Sequence, residues 1–243
     1  MTDPKTHPQN GIQRQKSATK GIVVRVPTRR DALVYEGVRR AVDAINRTLW
    51  HTVVTYEAPL PERPYILAPT HRSYIDTILV GSVTKTYLHY MAKAELWKSR
   101  PFGRFLEILG GFPVDRDAAD REALKSALSV LEIGEGLVLF PEGERRDGDI
   151  VHDLHDGAAY LALRASVPIV PVAFYGSAQA LGKGAKLPRS ARVRAVVGPS
   201  LLPQDYVSAE RRSSKTVSRA SVTRLTEALT QELQRLYDKA ATL

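Results

Sequence analysis

The chain has 243 residues, 43% of them hydrophobic, enough to bury one sizeable core. Cysteine is absent, which excludes disulfides, thiolate catalysis and cysteine-ligated metals. With 35 Lys and Arg against 26 Asp and Glu the net charge is +9, which points to an anionic partner, and no run of apolar residues is long enough for a membrane-spanning helix.

Residues 1–28 read as a basic, flexible arm, and residues 29–243 as the folded unit. The N-terminus is polar and lacks the apolar core of a signal peptide. A helix over Asp31–Trp50 carries Leu33, Val34, Val38, Val42 and Ile45 as an apolar stripe. That stripe suits either a cover over a sheet or a position at a bilayer surface with Trp50 at the interface. Strands follow at Tyr65–Ala68, Thr86–Met91, Phe112–Val114, Leu137–Phe140, Ile169–Phe174 and Val193–Val197. Between them, Asp76–Val80 starts a buried helix, and Ala94–Leu109 is an aromatic, basic, amphipathic stretch suited to packing on the sheet or touching a bilayer. Ala119–Ile133 has helical spacing with Asp117 as its N-cap, Gly157–Ala165 is a crossover helix, and Ser218–Lys239 closes the chain. Such alternation predicts an α/β fold, a single domain with a largely parallel central sheet flanked by helices.

Two segments carry the chemistry. In Thr70-His71-Arg72-Ser73-Tyr74-Ile75-Asp76 a histidine leaves an apolar strand five residues before a carboxylate. A carboxylate that fixes the imidazole tautomer and stabilises the imidazolium makes the histidine a general base. The same pair also fits a surface histidine followed by a helix-capping aspartate. Ser73 reads as the cap of a helix entered at Tyr74 rather than as a nucleophile. The second segment, Leu139-Phe140-Pro141-Glu142-Gly143-Glu144-Arg145-Arg146, turns sharply out of a strand at Gly143 and presents two arginines suited to a phosphate or carboxylate. It equally fits a strand-to-loop turn with a solvated charge cluster. Between the two lies Gly110-Gly111-Phe112-Pro113-Val114-Asp115-Arg116, and after them Val167-Pro168-Ile169-Val170-Pro171. The histidines and aspartates of His152-Asp153-Leu154-His155-Asp156 lack further ligands at metal-binding spacing, so no metal is expected.

In order and separation these four blocks resemble the glycerolipid acyltransferase family, the lysophosphatidate (PlsC-like) acyltransferases and their glycerol-3-phosphate relatives. The resemblance covers residues 63–174. It implies that His71 and Asp76 are catalytic, and that Gly110, Phe112, Arg116, Glu142, Gly143, Arg145 and Pro168 belong to the substrate site. It further implies transfer of a fatty acyl group from acyl-CoA or acyl carrier protein, as co-substrate and without a cofactor, to 1-acyl-sn-glycerol 3-phosphate (lysophosphatidic acid) or to glycerol 3-phosphate. Phosphatidic acid is the product in the first case. Glu144 and Arg146 replace the threonine and serine common in the family, and Leu154-His155-Asp156-Gly157 stands where a phenylalanine and a lysine often precede the glycine. These departures leave the acceptor open between the two branches. With no Gly-x-Ser-x-Gly elbow and no cysteine, transfer is direct rather than through an acyl-enzyme.

The charge is unevenly placed. Residues 1–30 hold seven Lys and Arg against Asp3, and residues 183–224 hold ten against Asp205 and Glu210. Basic arms suit nucleic acid or anionic lipid. A basic nucleic-acid-binding protein is the rival from another class, but the arms lack the interleaved aromatics and motifs of nucleic-acid readers. An anionic membrane surface is the expected partner, with no nucleic acid, and the expected location is cytoplasmic, peripheral on the inner face of the cell membrane.

Overall fold

The computed structural model describes residues 27–114, 120–207 and 216–243. Most of the arm assigned to residues 1–28, together with Arg116, Asp117 and the basic residues Arg211, Arg212 and Lys215, lies outside these residues. The strands are β1 (Val53–Tyr56), β2 (Ile66–Pro69), β3 (Leu88–Lys93), β4 (Gly111–Val114), β5 (Gly136–Val138), β6 (Ile169–Tyr175) and β7 (Arg194–Val197). They form one sheet in the order β1-β7-β6-β2-β5-β3-β4. From β6 through β4 all neighbours are parallel. Only β7 runs antiparallel to β6, and β1 lies parallel beside it at the sheet's edge.

The central strands are apolar on both faces because both faces are covered, as a parallel sheet requires. In β2, Ile66 and Ala68 face the layer formed by α4 (Asp120–Glu132), α5 (Gly157–Ala165) and α7 (Arg219–Ala241). Leu67, with Tyr65 just before the strand, faces the other way, toward Leu79, Val80 and Val83 of α2 (Asp76–Val83). Alternation at a period of two thus supplies two cores from one strand. The expected α/β architecture with a largely parallel sheet is the one observed. β1 and the short helix α6 (Ser177–Leu181) were not expected, and β5 stops at Val138 rather than Phe140.

The N-terminal helix α1 (Arg29–Leu49) starts earlier than its apolar stripe suggests. Thr28 caps it, its Oγ1 accepting from Asp31 N at 3.2 Å while Asp31 Oδ2 accepts from Thr28 N at 2.9 Å. This helix packs on α2 through partly polar contacts. Asn46 donates to Ile78 O at 3.1 Å and Ser82 Oγ at 2.8 Å, and Arg39 donates to Gly81 O at 3.2 Å. The expectation of an interfacial tryptophan is corrected: Trp50 is 4% exposed, packs in the α2-side core and donates from Nε1 to Arg189 O at 3.1 Å. Trp97 is likewise engaged, its Nε1 donating to Glu107 Oε1 at 3.3 Å. The Trp97 ring lies against Gly103 of α3 (Arg100–Ile108), where a Cβ would come within 2.7 Å of Trp97 Cδ1.

His89 of β3 is buried beside Tyr87, and burial pushes its imidazole down from 6.5 to about 4. Between those values the unfolded chain binds a proton that the folded chain refuses, so stability falls as pH drops through that window. The urea midpoint of His89→Gln, measured at pH 7 and pH 5, is expected to fall less than that of the wild type. An equal fall would remove His89 from the acid response.

Candidate active site

Because β2 is parallel to both neighbours, the turns that follow β2 and β5 emerge side by side at the carboxyl edge of the sheet, the place where α/β folds expose loops. His71 sits in the first of these turns. Its Nδ1 lies 3.1 Å from Asp76 Oδ2, and its ring stacks on Phe140 with centroids 4.2 Å apart. The same Oδ2 accepts from Arg72 N and Ser73 N, both at 2.6 Å. Asp76 therefore folds the four intervening residues around itself while beginning α2, where a carboxylate also meets the positive end of the helix dipole. Asp76 is fully buried, so its charge is reserved for these three donors. With Nδ1 engaged, Nε2 is the ring nitrogen left for a substrate.

Glu142 holds the other side of His71. Its Oε2 accepts from His71 N at 2.6 Å, and its Oε1 is ion-paired with the Arg72 guanidinium. Both side chains are buried, at 0% and 1% exposure. Arg72 also donates to His71 O at 3.3 Å and Ile150 O at 3.1 Å, and its guanidinium lies 5.5 Å from the Tyr237 ring centre. The loop that follows is fixed from α7: Gln234 accepts from Val151 N at 2.7 Å and Tyr237 donates to Asp149 Oδ1 at 3.1 Å. Burial, and then the Asp149 carboxylate, raise the Tyr237 phenol above its ordinary value. Arg146 N closes the circuit by donating to His71 O at 2.9 Å.

His71, Gly143, Glu144, Arg145 and Lys183 line an open cleft of about 210 Å³. Gly143 has φ +70°, and a Cβ there would fall 2.6 Å from the His155 ring, so both conformation and space require glycine. The Arg145 guanidinium lies over the Tyr74 ring, 3.6 Å from its centre, and its Nε has no hydrogen-bond partner among the described residues. Glu144 is paired with Arg146 at 3.4 Å. Lys183 arrives from the segment after α6, which is tied to the histidine turn by Ser73 Oγ donating to Leu181 O at 2.6 Å and Tyr74 N to Leu181 O at 3.1 Å.

Other expected site residues lie elsewhere. Glu142 touches His71 rather than the cleft. Gly110, with φ +86° and a Cβ position 2.3 Å from Leu88 O, makes the tight turn into β4, while Phe112 is buried in the core of the edge strand. Pro168 precedes β6 and accepts from Ile66 N at 2.9 Å. That is the amino end of the sheet, roughly 20 Å from His71 at about 3.3 Å per residue. These three shape the fold and do not line the cleft beside His71. The cap assigned to Ser73 is also corrected: α2 begins at Asp76, and Ser73 Oγ accepts from Ile75 N at 3.3 Å without capping it. Of the histidines and aspartates near residue 155, His152 pairs with Asp153 at 2.7 Å and Asp156 accepts from Thr226 at 2.8 Å. Arg72, Tyr74 and Lys183 were not singled out for site roles from sequence: Arg72 meets Glu142 and Tyr74 meets Arg145 across 70 or more residues, and no motif block reaches Lys183.

A family model described as Acyltransferase matches residues 51–175, more than half of the chain. The 1-acyl-sn-glycerol-3-phosphate acyltransferase of Bacillus subtilis (strain 168) is 30% identical over 176 residues, covering 72% of this chain and 82% of that protein. A protein of the same name from Streptococcus pneumoniae is 35% identical over 124 residues, covering 50% of this chain and 46% of that protein. The crystal structure of the 1-acyl-sn-glycerophosphate acyltransferase PlsC from Thermotoga maritima superposes with a TM-score of 0.69 at 20% identity, covering 89% of this chain and 85% of that one. At that identity the likeness establishes the shared fold.

Removing one partner of a buried ion pair strands the other charge at a cost of about 3–5 kcal/mol. Glu142→Ala is expected to lower unfolding stability by that order in urea titrations, and Glu142→Gln, which still accepts from His71 N, to lose less. Equal losses would mean that the acceptor to His71 contributes nothing.

Proposed function

The chain belongs to the acyltransferase family, and we propose that it moves a fatty acyl group from a thioester donor, acyl-CoA or acyl carrier protein, to the free hydroxyl of 1-acyl-sn-glycerol 3-phosphate, giving phosphatidic acid for phospholipid synthesis. The observation that carries this reading is the His71–Asp76 pair at the mouth of a cleft whose wall holds Arg145. An alcohol must lose its proton as it attacks. His71 Nε2 takes that proton, the acceptor oxygen bonds to the thioester carbonyl carbon, and the carbon–sulfur bond breaks to release the thiolate. The imidazolium, stabilised by Asp76, returns the proton to the thiolate or to solvent. Ser73 is spoken for by Leu181 and Ile75, which supports direct transfer without an acyl-serine. Arg145 grips the acceptor phosphate, its face stacked on Tyr74 and its edge N–H groups left for the anion.

The acceptor follows the names of the relatives, two of which are 1-acyl-sn-glycerol-3-phosphate acyltransferases. Among the described residues no helix is long and apolar enough to cross a membrane. A lipid acceptor then calls for a peripheral position, and we place the enzyme on the inner, anionic face of the cell membrane. Leu33, Val34, Ile45 and Leu49 of α1 support this, all exposed and flanked by Arg40 and Arg47. Leu96, Phe102 and Phe105, on or beside α3, are also exposed among Lys98, Arg100 and Arg104.

A panel of 1-acyl-sn-glycerol 3-phosphate, glycerol 3-phosphate and a neutral lysolipid, offered with one acyl-CoA and followed by thiol release, tests the reading. The monoacylated phosphate is expected to turn over fastest. Preference for glycerol 3-phosphate would move the enzyme to the other branch of the family. His71→Ala is expected to lose on the order of 10²–10⁴-fold in kcat with its circular dichroism unchanged, and Asp76→Asn to be severely impaired. Wild-type turnover by folded His71→Ala would end the general-base assignment.

Membrane binding has a separate check. Leu33 is 75% exposed, so Leu33→Ser combined with Ile45→Ser should leave the fold intact while weakening sedimentation with anionic vesicles. Each Lys or Arg near the surface adds about 1 kcal/mol that salt screens, so raised salt should weaken binding further. Full binding by the double variant would exclude α1 as the contact.

A further inference from the structure

We propose that Lys183 is the second cation for the acceptor's phosphate, completing a two-pronged grip with Arg145. This rests on the acyltransfer reading above and adds a residue from outside the four motif blocks. A phosphate monoester carries about −1.5 to −2 charges near pH 7, more than one guanidinium neutralises. Beside His71, the cationic side chains that line the cleft among the described residues are Arg145 and Lys183, while Arg116 lies outside those residues.

Lys183 is held at that wall by the backbone. Ser73 pairs with Gly182 in an isolated antiparallel bridge, Tyr74 N donates to Leu181 O at 3.1 Å, and Ser73 Oγ donates to the same oxygen at 2.6 Å. The turn that carries His71 and the segment that carries Lys183 therefore move as one piece, and Tyr74, the platform under Arg145, is part of it. The other cleft charges are committed. Glu144 is paired with Arg146 at 3.4 Å, so its carboxylate is offset where an anion would enter. Among the described residues Lys183 has a loose partner, Asp147 Oδ2 at 3.9 Å, with the two side chains 60% and 74% exposed. A pair this long and this wet contributes little, so Lys183 gives it up readily for a phosphate oxygen. Lysine suits this task as a mobile point charge, whereas stacked Arg145 supplies the fixed fork.

The test compares two lysines on one segment. Lys183 lines the cleft, while Lys186 is exposed and does not. In full-length enzyme, Lys183→Ala is expected to raise KM for 1-acyl-sn-glycerol 3-phosphate roughly tenfold, in keeping with loss of one charge-assisted contact, with a smaller effect on kcat. Lys183→Arg should recover most of the loss, and Lys186→Ala should behave as wild type. Equal shifts for the two alanine variants would reduce the effect to general surface charge and overturn the proposal, as would no shift in either. Calorimetric binding of a soluble short-chain lysophosphatidate, free of turnover, separates this proposal from the one it rests on. Wild-type binding that weakens in Lys183→Ala without any acyl transfer would sink the transfer reading and leave the Lys183 contact standing. Absence of wild-type binding would sink both.

Discussion

Glu142 meets Arg72 where neither side chain touches water, and each charge there would cost several kcal/mol if left alone. The pair is tolerable because nearly every lone pair and donor is spent: Glu142 on His71 N and Arg72, Arg72 on two carbonyls and the face of Tyr237. Only Arg72 Nε lacks a partner among the described residues. Such a pair is weak evidence for net stability against an apolar substitute. It does tie distant parts of the chain together, because the partners of the two charges come from the turn after β2, the loop after β5 and the C-terminal helix α7. These three are therefore locked into one register, with His71 at their junction.

What could be read from the sequence follows from how far apart the partners are. His71 and Asp76 are five residues apart, so the turn that joins them is visible as spacing. The alternation of apolar runs with helical spacing gave the sheet, because strands buried on both faces look alike wherever they occur. Glu142, by contrast, read as part of the substrate site, since a carboxylate beside two arginines looks like a binding loop. Its real partner, Arg72, sits 70 residues earlier and carries no local mark. Phe112 and Pro168 stand in blocks whose spacing does not say which wall they face; Phe112 is buried in the core and Pro168 lies at the amino end of the sheet. β1 escaped notice because it is a four-residue edge strand, half exposed, directly after Trp50, whose indole reads as the end of an interfacial helix.

α1 inverts the usual use of an amphipathic helix. Toward the fold it turns Tyr35, Arg39 and Asn46, whose polar ends find backbone oxygens, with Val42 against Gly81 beside them, and toward solvent it leaves Leu33, Val34 and Ile45. A helix that needed its apolar stripe for the core would face the other way. Polar docking of this kind spends hydrogen bonds on attachment and keeps the apolar side free. That free apolar side is what the proposed peripheral contact with a membrane would use.

The replacements at 144 and 146 belong together. A lone glutamate at the cleft would repel a phosphate, and a lone arginine would add an attraction with no fixed direction. Side by side at 3.4 Å they cancel, leaving the local charge close to that of the threonine and serine they replace. The backbone at 146 meanwhile does separate work, donating to His71 O whatever side chain it bears. The pair thus alters the shape and hydrogen bonding of the cleft's rim without adding net charge there, and the cations that line the cleft among the described residues remain Arg145, over Tyr74, and Lys183.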